Sequence, residues 1–286
     1  MIIWLASFPK SGNTFLRALL SAYFHTPDGI YQENTVLKIS QFPEINLFKK
    51  YGFDTSSDLD LVKNYINVQK KMNSISGNKI RFLKTHSIFL DINGYNFTDL
   101  KNTLGVIYIV RDPRTVVKSY ANHFQVTLEE ATNRISKFVT LADERQLNDN
   151  KQKRIISHVG SWSKNYHSWK ILKNFNKYLL IKYEDLTNDT ENVFVKVLSF
   201  IFKLCNSTLV LDKNKFKNTI KSTSFSVMQR MEKDKEFAEA MKGRDGKKIT
   251  FFKYGPKNNN LNTIPLDLKK KIESMFKNEL EELEYI

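Results

Sequence analysis

The chain has 286 residues, 41% of them hydrophobic, and 45 Lys+Arg against 30 Asp+Glu give a formal net charge of +15 at pH 7. That length and apolar content suffice for a buried core, while ten glycines and six prolines leave little material for long flexible linkers. A single cysteine, Cys205, excludes an intramolecular disulfide and a cysteine-rich metal site, and no stretch approaches the roughly 18 uninterrupted apolar residues of a membrane span.

The N-terminus lacks a basic region followed by a long apolar stretch, so a cytoplasmic protein without a signal peptide is expected. The positive charge favours anionic partners. The lysines are scattered, as at Lys70-Lys71, Lys247-Lys248 and Lys269 to Lys271, and no aromatic-interleaved basic platform is visible. A solvated lysine-rich surface is therefore favoured over a nucleic-acid patch.

Ile2 to Ser7 is a short apolar run suited to a strand buried on both faces. From Thr14, residues Phe15, Leu16, Leu19, Leu20 and Tyr23 recur at helical spacing until Thr26-Pro27. Residues 28–56 are turn-rich, and Leu59 to Met72 is predicted to be helical. KIRFLKTH, Lys79 to His86, reads as a second strand and LGVIYIV, Leu104 to Val110, as a third. Asp112-Pro113 opens a helix, and an amphipathic pattern from Val126 to Leu147 predicts another.

Ser161 to Asn174 carries Trp162, Tyr166, Trp169 and Leu172 as a helical core stripe. Tyr178 to Leu186 reads as a fourth strand, leading into a helix through Leu204. From Pro265, residues Leu268, Ile272, Met275, Phe276, Leu280 and Leu283 share one face of a closing amphipathic helix. This alternation predicts one α/β domain over residues 1–286, with a central, mainly parallel β-sheet flanked by helices. Such sheets bind ligands at the carboxyl ends of their strands, which singles out Lys10, His86, Arg111 and the Tyr183 region.

The residues after the first strand suit an anion. Pro9 and Gly12 form a tight turn, and the helix beginning near Asn13-Thr14 offers unpaired N–H donors and about half a positive charge. Lys10 adds a full cation, with Ser11, Asn13 and Thr14 as polar neighbours. An ordinary strand-to-helix turn has the same outline, so the segment alone leaves both readings open. Arg111 again puts a cation straight after a buried strand, with Ser119 on the following helix; a salt bridge from Arg111 to Asp112 or Glu184 is the competing reading. His86, beside Lys84, ends the second strand, where an imidazole can act as a general base.

Together these stretches resemble one family. Ser7-Phe8-Pro9-Lys10-Ser11-Gly12-Asn13-Thr14, Lys84-Thr85-His86 and Arg111-Asp112-Pro113-Arg114 with Ser119-Tyr120 are similar to motifs of the sulfotransferases that use 3′-phosphoadenosine 5′-phosphosulfate (PAPS). Tyr183-Glu184-Asp185-Leu186, Ser222-Thr223-Ser224-Phe225 with Met228, and Phe252-Lys253-Tyr254-Gly255 follow in the family's order. The motifs run from residue 4 to about residue 258 of the chain.

The resemblance implies a P-loop NTPase-like sulfotransferase fold and, residue by residue, a site. The loop from Lys10 to Thr14 would hold the 5′-phosphosulfate, with Lys10 on the bridging oxygen. Arg111 and Ser119 would hold the 3′-phosphate, and Tyr183, Thr223 and Phe225 the adenosine. His86 would deprotonate the acceptor beside Lys84. The co-substrate would be PAPS and the product adenosine 3′,5′-bisphosphate (PAP), with no metal. The acceptor would be a small molecule, a carbohydrate or a lipid, with a homodimer compatible and no nucleic-acid partner.

Three features depart from the family. Lys253-Tyr254-Gly255 stands where Arg-Lys-Gly is usual, with Gly243-Arg244-Asp245-Gly246-Lys247-Lys248 as nearby substitute cations. Phe15 replaces a tryptophan after the loop threonine and can still stack, and a proline shortly after the histidine is absent. Two other readings stay open: a P-loop small-molecule kinase, against which the early position of Lys10 speaks, and a non-catalytic anion- or nucleotide-binding protein. Tyr31, Phe42, Phe48 and Phe124 are candidates for an acceptor pocket or for core packing.

Overall fold

The computed structural model describes residues 1–32, 35–77, 79–147, 153–234, 237, 240, 249–255 and 259–286. Among these, the strands are β1 (Ile2–Ser7), β2 (Arg81–Thr85), β3 (Asp91–Ile92), β4 (Tyr95–Asn96), β5 (Thr103–Val110), β6 (Val139–Leu147), β7 (Lys153–Gly160) and β8 (Tyr178–Lys182). The helices of the first half are α1 (Asn13–His25), α2 (Ile45–Lys50), α3 (Asp58–Lys63), α4 (Tyr65–Ser76), α5 (Pro113–Phe124) and α6 (Leu128–Ile135). Those of the second half are α7 (Trp162–Lys170), α8 (Tyr183–Asn188), α9 (Thr190–Leu204), α10 (Lys213–Ser222), α11 (Phe225–Asp234), α12 (Leu266–Met275) and α13 (Lys277–Glu282).

These elements form two compact units, each assembled from separate stretches of chain. The first comprises Met1–Phe8, Ser40–Ile109 and Lys137–Leu180; the second comprises Pro9–Ile39, Val110–Ser136 and Ile181–Ile286. The first unit is built on a four-stranded sheet in the order β2-β1-β5-β8. β1 pairs in parallel with β2, from Ile2↔Arg81 to Ala6↔Thr85, and with β5, from Ile3↔Gly105 to Ser7↔Ile109. Every residue of β1 is buried, as its unbroken apolar run requires of a strand covered on both faces.

Aromatic packing anchors this sheet. The Trp4 ring lies 5.6 Å from Phe42, 5.2 Å from Phe97 and 6.1 Å from Trp169 of α7, all tilted. Its indole N–H donates to Thr103 Oγ1 at 2.9 Å. Such pairs add roughly 0.5–1.5 kcal/mol each beyond their buried area. Phe42 and Phe48 are fully buried, so the acceptor-pocket reading of these two gives way to core packing; Tyr31 is likewise buried, in the second unit's core.

The expectation of a helix reaching Leu147 is corrected. α6 stops at Ile135, and β6 instead pairs antiparallel with β7, starting from Val139↔Gly160 and Thr140↔His158. Val139, Thr140 and Leu141 have a strand partner more than a dozen residues downstream, and that pairing outweighs a local helical period. The stretch from Leu59 to Met72 divides at Asn64 into α3 and α4, α3 being opened by a Ser57–Asp60 capping box. The fourth strand ends at Lys182, so Tyr183 opens α8, and the closing helix breaks at Phe276 into α12 and α13.

In the second unit α1 packs on α10, and α5 packs on α6 and α12. Arg17 of α1 is buried and donates from Nη2 to Val36 O at 3.1 Å and Ile39 O at 2.7 Å. Ala18, Ala22, Tyr31, Val36, Met228 and Phe237 form an apolar cluster against which Phe251 and Phe252 pack. Among the described residues no helix is long and apolar enough to cross a membrane.

Candidate functional site

The loop between β1 and α1 turns on two residues in the left-handed region, Lys10 (φ 69°) and Gly12 (φ 98°). Gly12 is the N-cap of α1 and supplies no side chain to cap it, and the helix has no acidic residue in its first turn. The positive end of α1 is therefore not neutralised by its own first turn. Ser11 is 1% exposed, and among the described residues its Oγ has no hydrogen-bond partner. A buried hydroxyl without a partner is costly. Asn13 and Thr14 are buried in the first turn of α1, and Phe15 is half-buried.

Gly12 is fixed by more than its dihedral. A Cβ there would lie 2.3 Å from Cδ2 and 2.8 Å from Cε2 of Tyr183, so only glycine lets the loop backbone meet that ring. The Arg111 guanidinium sits 4.0 Å from the centroid of the same ring. Burial pushes the Tyr183 phenol pKa up, against the opposing pull of Arg111. Arg111 donates from Nη1 to Lys10 O at 3.2 Å, from Nε to Thr115 Oγ1 at 3.0 Å and from Nη2 to Asn259 Oδ1 at 3.3 Å. Lys10, Gly12, Arg111 and Tyr183 thus form one cluster in the second unit.

The carboxylates that compete for Arg111 are engaged by other donors. Asp112 accepts from Arg114 Nε at 2.9 and 3.0 Å and from Nη2 at 2.7 Å, while Arg114 Nη1 reaches Glu273 at 2.6 Å. Glu184 accepts from the Asp112 N–H at 3.2 Å and from the Tyr285 hydroxyl at 2.7 Å. Burial raises the Glu184 pKa, an effect that the Tyr285 hydrogen bond and Arg111 oppose. Ser119 stands half-buried one turn beyond Thr115 on α5.

The C-terminal motif forms a second glycine–aromatic contact. At Gly255 (φ 54°) a Cβ would lie 2.4 Å from Phe225 Cζ, so the Phe225 ring rests on that backbone. Thr223 is fully buried and its hydroxyl donates to Thr219 O at 2.8 Å, which makes it a support for the turn before α11. Lys253 donates to Asn122 Oδ1 at 2.9 Å; its Nζ lies 5.1 Å and that of Lys118 5.7 Å from the Tyr254 ring centroid. Lys118, Asn122, Gln125, Leu128 and Tyr254 border a cavity of about 460 Å³. Burial and the neighbouring Arg111 lower the Lys118 pKa. The candidate substitutes Gly243-Arg244-Asp245-Gly246-Lys247-Lys248 lie outside the described residues.

Several contributors were not singled out by sequence. Lys10 Nζ lies 4.4 Å from the Phe251 ring centroid. The N–H groups of Phe251 and Phe252 donate to Glu232 at 2.5 and 2.8 Å, and Gln229 Nε2 donates to Phe252 O at 2.9 Å. Phe251, next to the motif Phe252-Lys253-Tyr254-Gly255, was the available signal; Glu232 and Gln229, on α11, carried none.

His86 and Lys84 belong to the first unit. Lys84 is buried on β2 and its backbone is tied to the 40–42 segment, donating to Ser40 O at 2.9 Å and accepting from the Phe42 N–H at 2.8 Å. His86 follows β2, and its Nδ1 lies 2.8 Å from Ser7 O and 3.3 Å from Ser7 Oγ. A carbonyl only accepts, so Nδ1 carries the proton and Nε2 of the neutral ring keeps its lone pair. That is the tautomer a proton acceptor needs.

The family model of the sulfotransferase domain matches residues 2–284. Over 133 residues the chain is 28% identical to sulfotransferase 2A2 of Rattus norvegicus, covering 45% of this chain and 43% of that protein. It is 29% identical to sulfotransferase 2A1 of the same organism over 125 residues, 43% of this chain and 38% of that one. The matched stretch spans less than half the length of these relatives. The fold is similar to that of a mouse sulfotransferase complexed with PAP, with a TM-score of 0.59 at 18% identity, covering 98% of this chain and 84% of the other. It is also similar to retinol dehydratase in complex with androsterone and the inactive cofactor PAP, with a TM-score of 0.57 at 14% identity, covering 98% and 80%.

Proposed function

The chain belongs to the sulfotransferase domain family, and from that premise we propose that residues 1–286 act as one domain that transfers the sulfuryl group of PAPS to a hydroxyl or amine. The observation that carries this reading is the cluster of Lys10, Gly12, Arg111 and Tyr183 around the N-terminus of α1. The group fits these residues: Ser11 Oγ is buried without a partner among the described residues, and the Gly12 backbone comes as close to the Tyr183 ring as a missing Cβ allows. When bound, PAPS supplies an activated sulfuryl group, whose sulfur bonds to the acceptor oxygen or nitrogen as its bond to the 5′-phosphate oxygen breaks.

In this reading Lys10 and the N–H groups at the start of α1 hold the 5′ end and stabilise the negative charge that grows there. Ser11, Asn13 and Thr14 offer hydrogen bonds to the same end. Arg111, with its planar fork, and Ser119 hold the 3′-phosphate, with Lys253 as a point charge nearby. Tyr183 and Phe225, set by Gly12 and Gly255, flank the adenosine, and Phe15 and Tyr254 border it. His86 takes the acceptor proton on Nε2, with Lys84 beside it.

Two measurements on the purified chain test this: calorimetric binding of PAP, and transfer of labelled sulfate from PAPS to a panel of phenols, steroids, sugars, amines and lipid headgroups. Binding and transfer to at least one acceptor class are expected. A chain that binds no PAP and labels no acceptor would overturn the proposal. Binding without transfer would leave an anion-binding protein.

A further inference from the structure

We propose that Asn165 of α7 is the positioning residue of His86, gripping its backbone from the helix while β1 grips its ring; this rests on the reading of His86 as the acceptor's base. Asn165 is fully buried, and its whole amide is committed. Nδ2 donates to His86 O at 2.9 Å and to Val159 O at 2.7 Å, while Oδ1 accepts from the Tyr108 hydroxyl at 2.8 Å. The phenol on β5 fixes the amide so that its nitrogen, with two N–H groups, faces the two carbonyls. No other amide orientation satisfies all three contacts.

Neighbouring residues extend the grip. Trp169 Nε1 donates to Ser87 O at 3.0 Å, and the Ile88 N–H donates to His158 O at 2.8 Å. Ser168 Oγ accepts from the Phe89 N–H at 3.0 Å and donates to Asn165 O at 2.8 Å. Residues 86–89 have no helix or strand of their own, so their backbone groups depend on these partners. At the other end the His86 ring is pinned through Nδ1–H to Ser7 O. Movement of the residue 86 backbone lengthens that bond and frees the ring to exchange tautomers. A displacement of about 1 Å at a reacting group can cost on the order of a hundredfold in rate.

The test uses ¹⁵N-histidine-labelled full-length protein without ligand, with His86→Ala to identify the His86 signals. The wild type should show the Nδ1-protonated tautomer alone in the neutral ring. Asn165→Ala should give a mixture of tautomers, and Tyr108→Phe, which leaves both Nδ2 contacts in place, a smaller change in the same direction. PAP affinity should stay within about twofold in both variants. With the panel acceptor the wild type turns over fastest, kcat of Asn165→Ala should fall about tenfold or more. Wild-type His86 signals in a folded Asn165→Ala would overturn the proposal; if that variant does not fold, unchanged signals in Tyr108→Phe would do so. A wild type that transfers no sulfate defeats the sulfotransferase reading yet leaves the histidine spectra legible, so the two failures are distinguishable.

Discussion

Gly12→Ala isolates the contact on which the second unit's site is built. Two costs add. An alanine at φ 98° leaves the region L-residues favour, worth roughly 1–2 kcal/mol. Its Cβ would lie 2.3 Å from Tyr183 Cδ2, about 1 Å inside ordinary contact, and the 8%-exposed ring has little room to retreat. Overpacking of that kind costs roughly 1–3 kcal/mol. A total of about 3 kcal/mol corresponds to a fall in Tm of roughly 6–12 °C. Thermal unfolding with and without PAP measures both stability and binding. In a Tyr183→Ala background the steric part disappears and only the dihedral part remains, so the double-mutant cycle should give a coupling of about 1–3 kcal/mol. Wild-type Tm and PAP affinity in Gly12→Ala, or a coupling near zero, would refute this account of the loop.

Other residues give separable expectations. His86→Ala should lower transfer by roughly 10²–10⁴-fold while PAP binding persists, and near-normal turnover would remove His86 from the reaction. Arg111→Lys keeps the charge but loses the planar fork, so calorimetry should show weaker PAP binding than wild type and stronger binding than Arg111→Ala. Arg114→Ala leaves the buried Asp112 carboxylate without its 2.7 Å partner and should cost about 3–5 kcal/mol in denaturant unfolding. Glu184 has a raised pKa in the folded chain, so folding takes up its proton between the ordinary value of 4.5 and the raised one. The stability of wild type relative to Glu184→Gln should therefore fall as pH rises from about 4.5 through that window, and a pH-independent difference would contradict it.

Much of the sheet was legible because parallel strands buried on both faces read as unbroken apolar runs, as in IIWLAS and TLGVIYIV. α5 was equally plain, since Asp112 caps it and Pro113 is its first residue. The β6–β7 pairing was hidden, because the strand that pairs with Val139 to Leu141 lies beyond residue 152 and no local period reports it. The small β3–β4 ribbon turns on Asn93-Gly94, both at positive φ, a signal that was present and went unused. Lys10, Arg111 and Tyr183 were visible as strand-end residues, yet their contact with Gly12 depends on backbone geometry. Asn165 was invisible for another reason: inside the aromatic stripe of α7 it looks like an ordinary polar position, and its role lies in the carbonyl of His86, far away in sequence.

The cluster joins Lys10, Arg111 and Tyr183, one from each of the three chain segments that compose the second unit. Loop closures of about 100 and 70 residues precede its assembly, and their entropy is recovered only when the last segment arrives. An anion that binds all three side chains therefore acts as a cross-link of the native topology, absent from the unfolded chain. Its binding free energy adds directly to the barrier against unravelling any one of the three segments. Protection of α1, α5 and α8 from hydrogen exchange should rise together as PAP is added, so that three helices remote in sequence open as a single cooperative unit.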